Sequence, residues 1–328
     1  MTHRLDKIDQ HLLDDFQRDF PLVPRPFAQL GQALGLTEAE VILRLAALQS
    51  RGQISRVGGT VRPNTAGAST LAAMAVPEDR IDEVAQLVNA EAGVNHSYLR
   101  ENVWNLWFVA TAPNTDALAA QLARLEAATG LQILDLRLLR AFNIDLGFAL
   151  QGPRAQMTPR AAPDMTVLQP DDRPILQALS SGLALDPQAY LRLAQSLGQT
   201  EAQVIARIKA LAAAEILTRI GVIVRHRTIG WTSNAMVVWN IPEAQIEAAG
   251  LALAALPGIS LCYRRVTVPG VWPYALYSMI HARSRAEALT VLEAAKALPE
   301  LAGLEHSVLF STRCFKQTSA QLMQERAA

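Results

Sequence analysis

Ile54-Ser-Arg-Val-Gly-Gly-Thr-Val-Arg62 and Leu217-Thr-Arg-Ile-Gly-Val-Ile-Val-Arg225 are two versions of one stretch, with Arg56 matching Arg219 at an offset of 163. The offset holds upstream, where Leu34-Gly-Leu-Thr-Glu-Ala-Glu-Val-Ile42 matches Leu197-Gly-Gln-Thr-Glu-Ala-Gln-Val-Ile205. Downstream, Gly93 matches Gly258 at an offset of 165, and the pairs Pro77-Glu78 and Pro242-Glu243 agree with it. Such a period is far too long for a solenoid and reads as duplication and fusion of one whole unit. The joint is the Pro-rich, polar run from Gln151 to Asp164, which lacks apolar periodicity. This places a linker over 151–165, with each unit divided once more: 1–62 and 63–150 before it, 166–226 and 227–328 after it.

Each unit opens with helices. The run Phe27 to Leu34 ends at Gly35, and Thr37 then N-caps a second helix with Glu40 three residues on, a capping box. Val41, Leu45 and Leu48 fall on one side of that helix. The copy runs from Tyr190 to Gly198 and restarts at Thr200. Helix, Gly-containing turn, helix is a helix-turn-helix, and a short extended pair follows each one, as in a winged form. The remainder reads β-α-β-β-α-β twice. Strands are expected near 69–76, 94–101, 104–110 and 132–140, with helices near 78–90 and 114–129. The second set of strands falls near 232–240, 259–266, 274–281 and 304–312. The fold class is therefore α+β, a tandem repeat of a helix-turn-helix plus a ferredoxin-like (βαββαβ) domain. The sheet of such a domain carries helices on one face and leaves the other open to a ligand or partner.

Composition sets outer limits. Hydrophobic residues make up 50% of the 328, enough for well-filled cores, and the formal net charge is zero. A neutral chain has no general attraction for nucleic acid or anionic membrane. The second helices of the two helix-turn-helix units carry Arg44, Arg51, Arg207 and Lys209, offset by Glu38, Glu40, Glu201 and Glu215, among Ala, Leu, Val and Ile. That is poor material for base readout, so these units are expected to be packing or pairing modules. Two cysteines, Cys262 and Cys314, give no disulfide framework. No membrane span and no secretory leader are evident, and a cytoplasmic location is expected.

The chemistry gathers in Gly93-Val-Asn-His-Ser-Tyr-Leu-Arg100. On a strand, His96, Tyr98 and Arg100 share one face. The second copy, Gly258-Ile-Ser-Leu-Cys-Tyr-Arg-Arg265, keeps Tyr263 and Arg265 but has Leu261 in place of the histidine. It gains His226 where the first copy has Pro63. An imidazole, a phenol and a guanidinium on one patch suit an acidic ligand, a metal or proton transfer. Of the other histidines, His3 and His11 are expected to face solvent, and His281 and His306 to sit at strand edges. Trp231 and Trp239 are expected in the core.

The architecture of each half resembles the Lrp/AsnC regulators. The pattern Gly93-Val-x-His-x-Tyr-x-Arg-x-x-x-x-Asn105-Leu-Trp-Phe108, with Arg56-Val-Gly-Gly-Thr-Val-Arg62 and its copy, resembles more closely the sirohaem decarboxylase family, over nearly the whole chain. Members occur as paired subunits or as one fused chain in which a D-type half precedes an L-type half. The resemblance implies loss of CO2 from the acetate side chains at C12 and C18 of sirohaem, giving 12,18-didecarboxysirohaem in haem d1 or alternative haem biosynthesis. It implies no separate cofactor, because the substrate carries its own iron. Sirohaem is a flat, carboxylate-rich macrocycle, and arginine's planar fork suits carboxylate. Arg62, Arg225, Arg227, Arg264 and Arg265 are then expected to bind it, with Trp104, Trp107, Trp272 and Tyr263 as planar walls. His96, His226, Tyr98 and Arg100 are the expected catalytic set. Either histidine could ligate the substrate iron or deliver a proton. The halves are expected to pair within the chain, with a homodimer left open. Two other readings remain at this point: an Lrp/AsnC-type regulator sensing a small ligand, and a non-catalytic haem-binding sensor.

Overall fold

The computed structural model of the chain describes residues 5–144, 147, 148, 150 and 161–323. Residues 151–160, most of the expected linker, and His3 lie outside the described residues.

The duplicated stretch quoted above pairs with itself. Strand β1 (Ile54–Val61) runs antiparallel to β6 (Leu217–Val224), and Gly58 lies opposite Gly221, its own copy. The pseudo-twofold relating the halves therefore passes between these glycines. Their lack of a side chain has a use. A Cβ on Gly58 would collide with the backbone of Leu179 in the second half, and one on Gly221 with that of Gln17 in the first. Each half thus packs backbone onto the other's strand.

Around this ribbon sit α1 (Lys7–Asp14), α2 (Pro26–Leu34) and α3 (Glu38–Ser50). Their counterparts are α6 (Asp172–Ser181), α7 (Ala189–Ser196) and α8 (Glu201–Ala213). The expected capping box forms, Thr37 with Glu40, and the copy has one as well, Thr200 with Gln203. Gly35 closes α2 at φ 68°, a left-handed conformation that costs glycine little. Leu45, Leu48, Ile175, Tyr190, Ile208 and Val222 from both modules share one continuous core. Burying an aliphatic side chain of this size stabilises by about 1.5–3 kcal/mol. Arg44 is held by Asp6 and Asp9 at 2.7 and 2.8 Å, and Arg207 by Asp172 at 2.6 Å. These second-helix cations are tied up inside the modules, as a packing role requires.

The rest of the chain forms a closed eight-stranded barrel in the order β10-β3-β4-β2-β5-β8-β9-β7. The first half contributes β2 (Ala68–Met74), α4 (Ile81–Ala90), β3 (Val94–Arg100), β4 (Leu106–Ala112), α5 (Thr115–Thr129) and β5 (Ile133–Ile144). The second contributes β7 (Ser233–Trp239), α9 (Ile246–Ala255), β8 (Ile259–Arg265), β9 (Leu276–Ala282), α10 (Arg285–Lys296) and β10 (His306–Gln317). Each half keeps the ferredoxin-like strand arrangement.

The last strands run past the expected ends at 140 and 312, for a structural reason. Residues 133–137 of β5 pair with β2 of their own half, and 138–144 cross over to β8. In β10, 306–310 pair with β7 and 311–317 cross to β3. Exchange of strand tails closes the sheet and leaves no unpaired barrel edge. The helices pack outside, over cores built on Phe108, Leu118 and Val84 in one half and Trp239, Leu253 and Leu292 in the other. The inner faces meet in a third core around Trp107, Leu136, Met236, Trp272 and Tyr277. The expected pairing of the halves within one chain is thus present. No described helix is long and apolar enough to cross a membrane.

Candidate active site

Between this inner core and the β1–β6 ribbon lies a cavity of about 380 Å³. Both stripes open into it: His96, Tyr98 and Arg100 from β3, and Leu261, Tyr263 and Arg265 from β8. The two strands stand four places apart in an eight-strand barrel, so the stripes come from opposite walls. His226, in the short turn His226–Ile229 after β6, joins them and is buried. One unlike half therefore supplies His96 and the other His226 to a single space. Trp107, Phe108, Phe148, Met236 and Met279 give it apolar walls.

Its charge is one-sided. Among the described residues, the lining holds Arg56, Arg62, Arg100, Arg219 and Arg265, with no Asp or Glu. Arg100 is 6% exposed and donates to Leu309 O at 3.0 Å and to Asn234 Oδ1 at 3.1 Å. Arg265 donates to Leu136 O at 2.8 Å, and its Cζ stands 4.8 Å from the ring centre of Tyr263. Arg56 and Arg265 each keep a buried Nε with no hydrogen-bond partner among the described residues. Among the described residues, none of Arg56, Arg100 and Arg265 is in an ion pair. Burial accordingly depresses Arg56 and Arg100 to about 10, and lowers Arg265 as well. Buried cations lacking counter-ions are costly, which fits a cavity whose anions arrive with the ligand.

His96 is set by its neighbour. A bulge between Val94 and His96 turns Asn95 toward the same space, and Asn95 Oδ1 lies 2.6 Å from His96 Nδ1. An amide oxygen can only accept, so Nδ1 carries the proton and Nε2 keeps its lone pair. Nε2 has no partner among the described residues. Burial, then the charge of Arg56, lowers the imidazole to about 4. Tyr98 stacks 6.4 Å from His96, and burial raises its phenol. Tyr263 is raised for the same reason.

Several expected residues sit elsewhere. Arg264 alternates with Tyr263 and Arg265, so it faces outward and pairs with exposed Glu243 at 2.7 Å. Trp104 precedes β4 and lies behind the wall, its carbonyl accepting from Trp107 Nε1. Trp272 is buried against Trp107, with ring centres 5.3 Å apart, and donates to Tyr277 Oη. Arg225 does not line the cavity, although Arg62, its copy, does. Arg227 is not in the lining either, yet it stands near enough to act by charge on Tyr98 and Arg100.

His281, expected at an edge, is 6% exposed and lines the cavity. It lies near the end of β9, on a position closed over by Phe148 and His226. Trp231 and Trp239 are buried as expected, and His11 is exposed and bound to Asp15. Arg56, Arg219, Asn95, Asn234 and His281 were not among the expected site residues. The signal for the first two was available, because Arg56 and Arg219 recur at the repeat offset within the quoted motif.

A closed pair of ferredoxin-like domains around an apolar, arginine-lined cavity defines a binding protein for a large polyanion. Comparison with known proteins makes this specific. The chain matches the AsnC-like ligand binding domain family over 66–143 and 228–316, and the siroheme decarboxylase NirDL-like HTH domain over 9–54. It is 61% identical to the siroheme decarboxylase NirDL subunit of Paracoccus denitrificans, across 98% of this chain and 99% of that one. Over 149 residues it is 47% identical to the siroheme decarboxylase NirD subunit of Stutzerimonas stutzeri, covering 45% of this chain and 98% of that one. A crystal structure of the siroheme decarboxylase NirDL in complex with an iron-uroporphyrin III analogue is 27% identical, with a TM-score of 0.68, covering 96% of this chain and 94% of that one. The chain belongs to the sirohaem decarboxylase family, in its fused form. Membership sets aside the regulator and the non-catalytic sensor.

Proposed function

We propose that this chain is a cytoplasmic carboxy-lyase that removes CO2 from the C12 and C18 acetates of sirohaem, with no cofactor beyond the iron of the substrate. The observation that carries this reading is the cavity itself: among the described residues its lining has five arginines, apolar walls and no carboxylate. A flat macrocycle ringed with carboxylates supplies the missing anions and covers the apolar wall. Arg100 and Arg265, with Arg56, Arg62 and Arg219, clamp its rim, and Arg227 strengthens the field from outside. Tyr98, Tyr263 and Trp107 bound its faces.

The reacting acetate breaks its bond to the carboxyl carbon, and CO2 leaves. The electron pair stays on the methylene carbon and spreads into the conjugated ring. A proton then converts that carbon to a methyl. His96 suits this delivery: it lines the cavity, and anchoring of Nδ1 by Asn95 leaves the lone pair on Nε2. His96 is neutral in the empty site, and bound carboxylates raise its proton affinity. His226 plays the matching part for the other half, either as a second proton carrier or as the ligand to the substrate iron. The five segments 1–62, 63–150, 151–165, 166–226 and 227–328 are the units we assign. Because one chain supplies both halves, the site needs no second copy. The test is to incubate excess sirohaem with the protein without oxygen and weigh the pigment. Conversion to the didecarboxylated product, abolished in the His96→Ala, His226→Ala double variant, is expected. Unchanged pigment would refute the reading.

A further inference from the structure

The two halves differ where His281 stands. In the register of the repeat, β7 pairs Asn234 with His281, where β2 pairs Ser69 with Thr111. Ser260 likewise stands at the position of Asn95. The second half has therefore replaced Ser, Thr and Asn by Asn, His and Ser, and the three form a directed chain. Ser260 Oγ donates to Met279 O at 3.0 Å, which leaves its lone pair for His281 Nδ1 at 2.6 Å. His281 Nε2 in turn accepts from Asn234 Nδ2 at 2.8 Å. That fixes the amide with Oδ1 toward Arg100, whose Nη1 lies 3.1 Å away.

Every donor and acceptor agrees along this path, and both His281 ring nitrogens are committed to it. His281 is thus not placed to bind iron or to move a proton to substrate. Arg265, the copy of Arg100, shares the bond to the opposite half's carbonyl, at Leu136. Among the described residues it makes no hydrogen bond to Ser69; Ser69 bonds Asn64 instead. We infer that His281 is a positioning residue: through Asn234 it holds the guanidinium of Arg100, and only that one, in the orientation that grips a carboxylate of the substrate. This rests on the decarboxylase reading above. It explains why a histidine was placed on β9 of the half that lacks one on β8.

The test is a double-mutant cycle on the full chain, read as kcat and KM for sirohaem and as affinity for iron uroporphyrin III. His281→Leu is expected to raise KM roughly ten- to a hundredfold, the range for a hydrogen bond to a charged group, with kcat changed much less. His281→Gln can accept from Asn234 and donate to Ser260, and is expected to restore most of the affinity. Combined with Arg100→Lys, His281→Leu is expected to add almost nothing, because its effect runs through Arg100. Full additivity in the cycle, or failure of His281→Gln to rescue a folded protein, would overturn the inference. An Arg100→Lys variant with unaltered KM would instead remove the clamp from the proposed function, a separate outcome. Thermal unfolding of each variant reports folding independently.

Discussion

Arg100 and Arg265 are one residue of the repeat, and each bonds the neighbouring strand across the seam between the halves. Arg100 donates to Leu309 O at 3.0 Å, and Arg265 to Leu136 O at 2.8 Å. The same side chains that face the ligand therefore also tie the halves together. Replacing either by Ala removes a charge-assisted bond between the halves. The expected cost is about 1–3 kcal/mol in urea unfolding, together with weaker binding of an iron octacarboxylate porphyrin. Lost affinity at unchanged stability would show that the cross-half bonds are incidental.

Arg56 behaves oppositely. It lines the cavity with a buried Nε lacking a partner and without an acidic neighbour, so the empty protein carries its desolvation cost. Arg56→Gln is expected to raise the melting temperature of the ligand-free protein, by roughly 2–4 °C for each kcal/mol relieved. The same change should shrink the additional stabilisation that the porphyrin confers. A variant that melts lower and binds equally well would show that the ligand does not use this cation.

Burial and Arg56 hold His96 at about 4 against an ordinary 6.5. The unfolded chain therefore takes up a proton that the folded chain refuses. The contribution of neutral His96 is complete above about 6.5 and is lost as pH falls toward about 4. Wild-type stability should decline across that window more steeply than that of His96→Gln, read as urea midpoints. Parallel curves would contradict the assignment. Calorimetry in buffers of differing ionisation enthalpy should show proton uptake when the carboxylate-rich ligand binds near pH 6, since its charges raise His96.

Arg264 supplies a control. It pairs with exposed Glu243 outside the cavity. Arg264→Ala should leave ligand affinity unchanged and alter stability by less than about 1 kcal/mol. A large loss of affinity would relocate the site.

The first capping box and the β-strand stripe were legible because each is local, and the repeat because its matches recur in order along the chain. Alternation alone places His96, Tyr98 and Arg100 on one face. The sequence could not show that β5 and β10 exchange their tails, since pairing at 138–144 and 311–317 depends on the other half's edge. Arg264 and Trp104 illustrate the same limit. Alternation separated Arg264 from Arg265, but arginine chemistry favoured both. Trp104 sits two residues short of the strand that carries Trp107. His281 was hidden because its five-residue displacement from the repeat offset, caused by the longer β8–β9 loop, concealed its match to Thr111.

The central claim is one decarboxylating site per chain, shared by two unlike halves. Its most direct test is an anaerobic single turnover with equimolar sirohaem and protein, following bound pigment by absorbance and released pigment by mass. We expect one equivalent to saturate the chain and to lose CO2 twice, through a monodecarboxylated species. Saturation by two equivalents, or recovery of intact sirohaem from a saturated protein, would contradict the account.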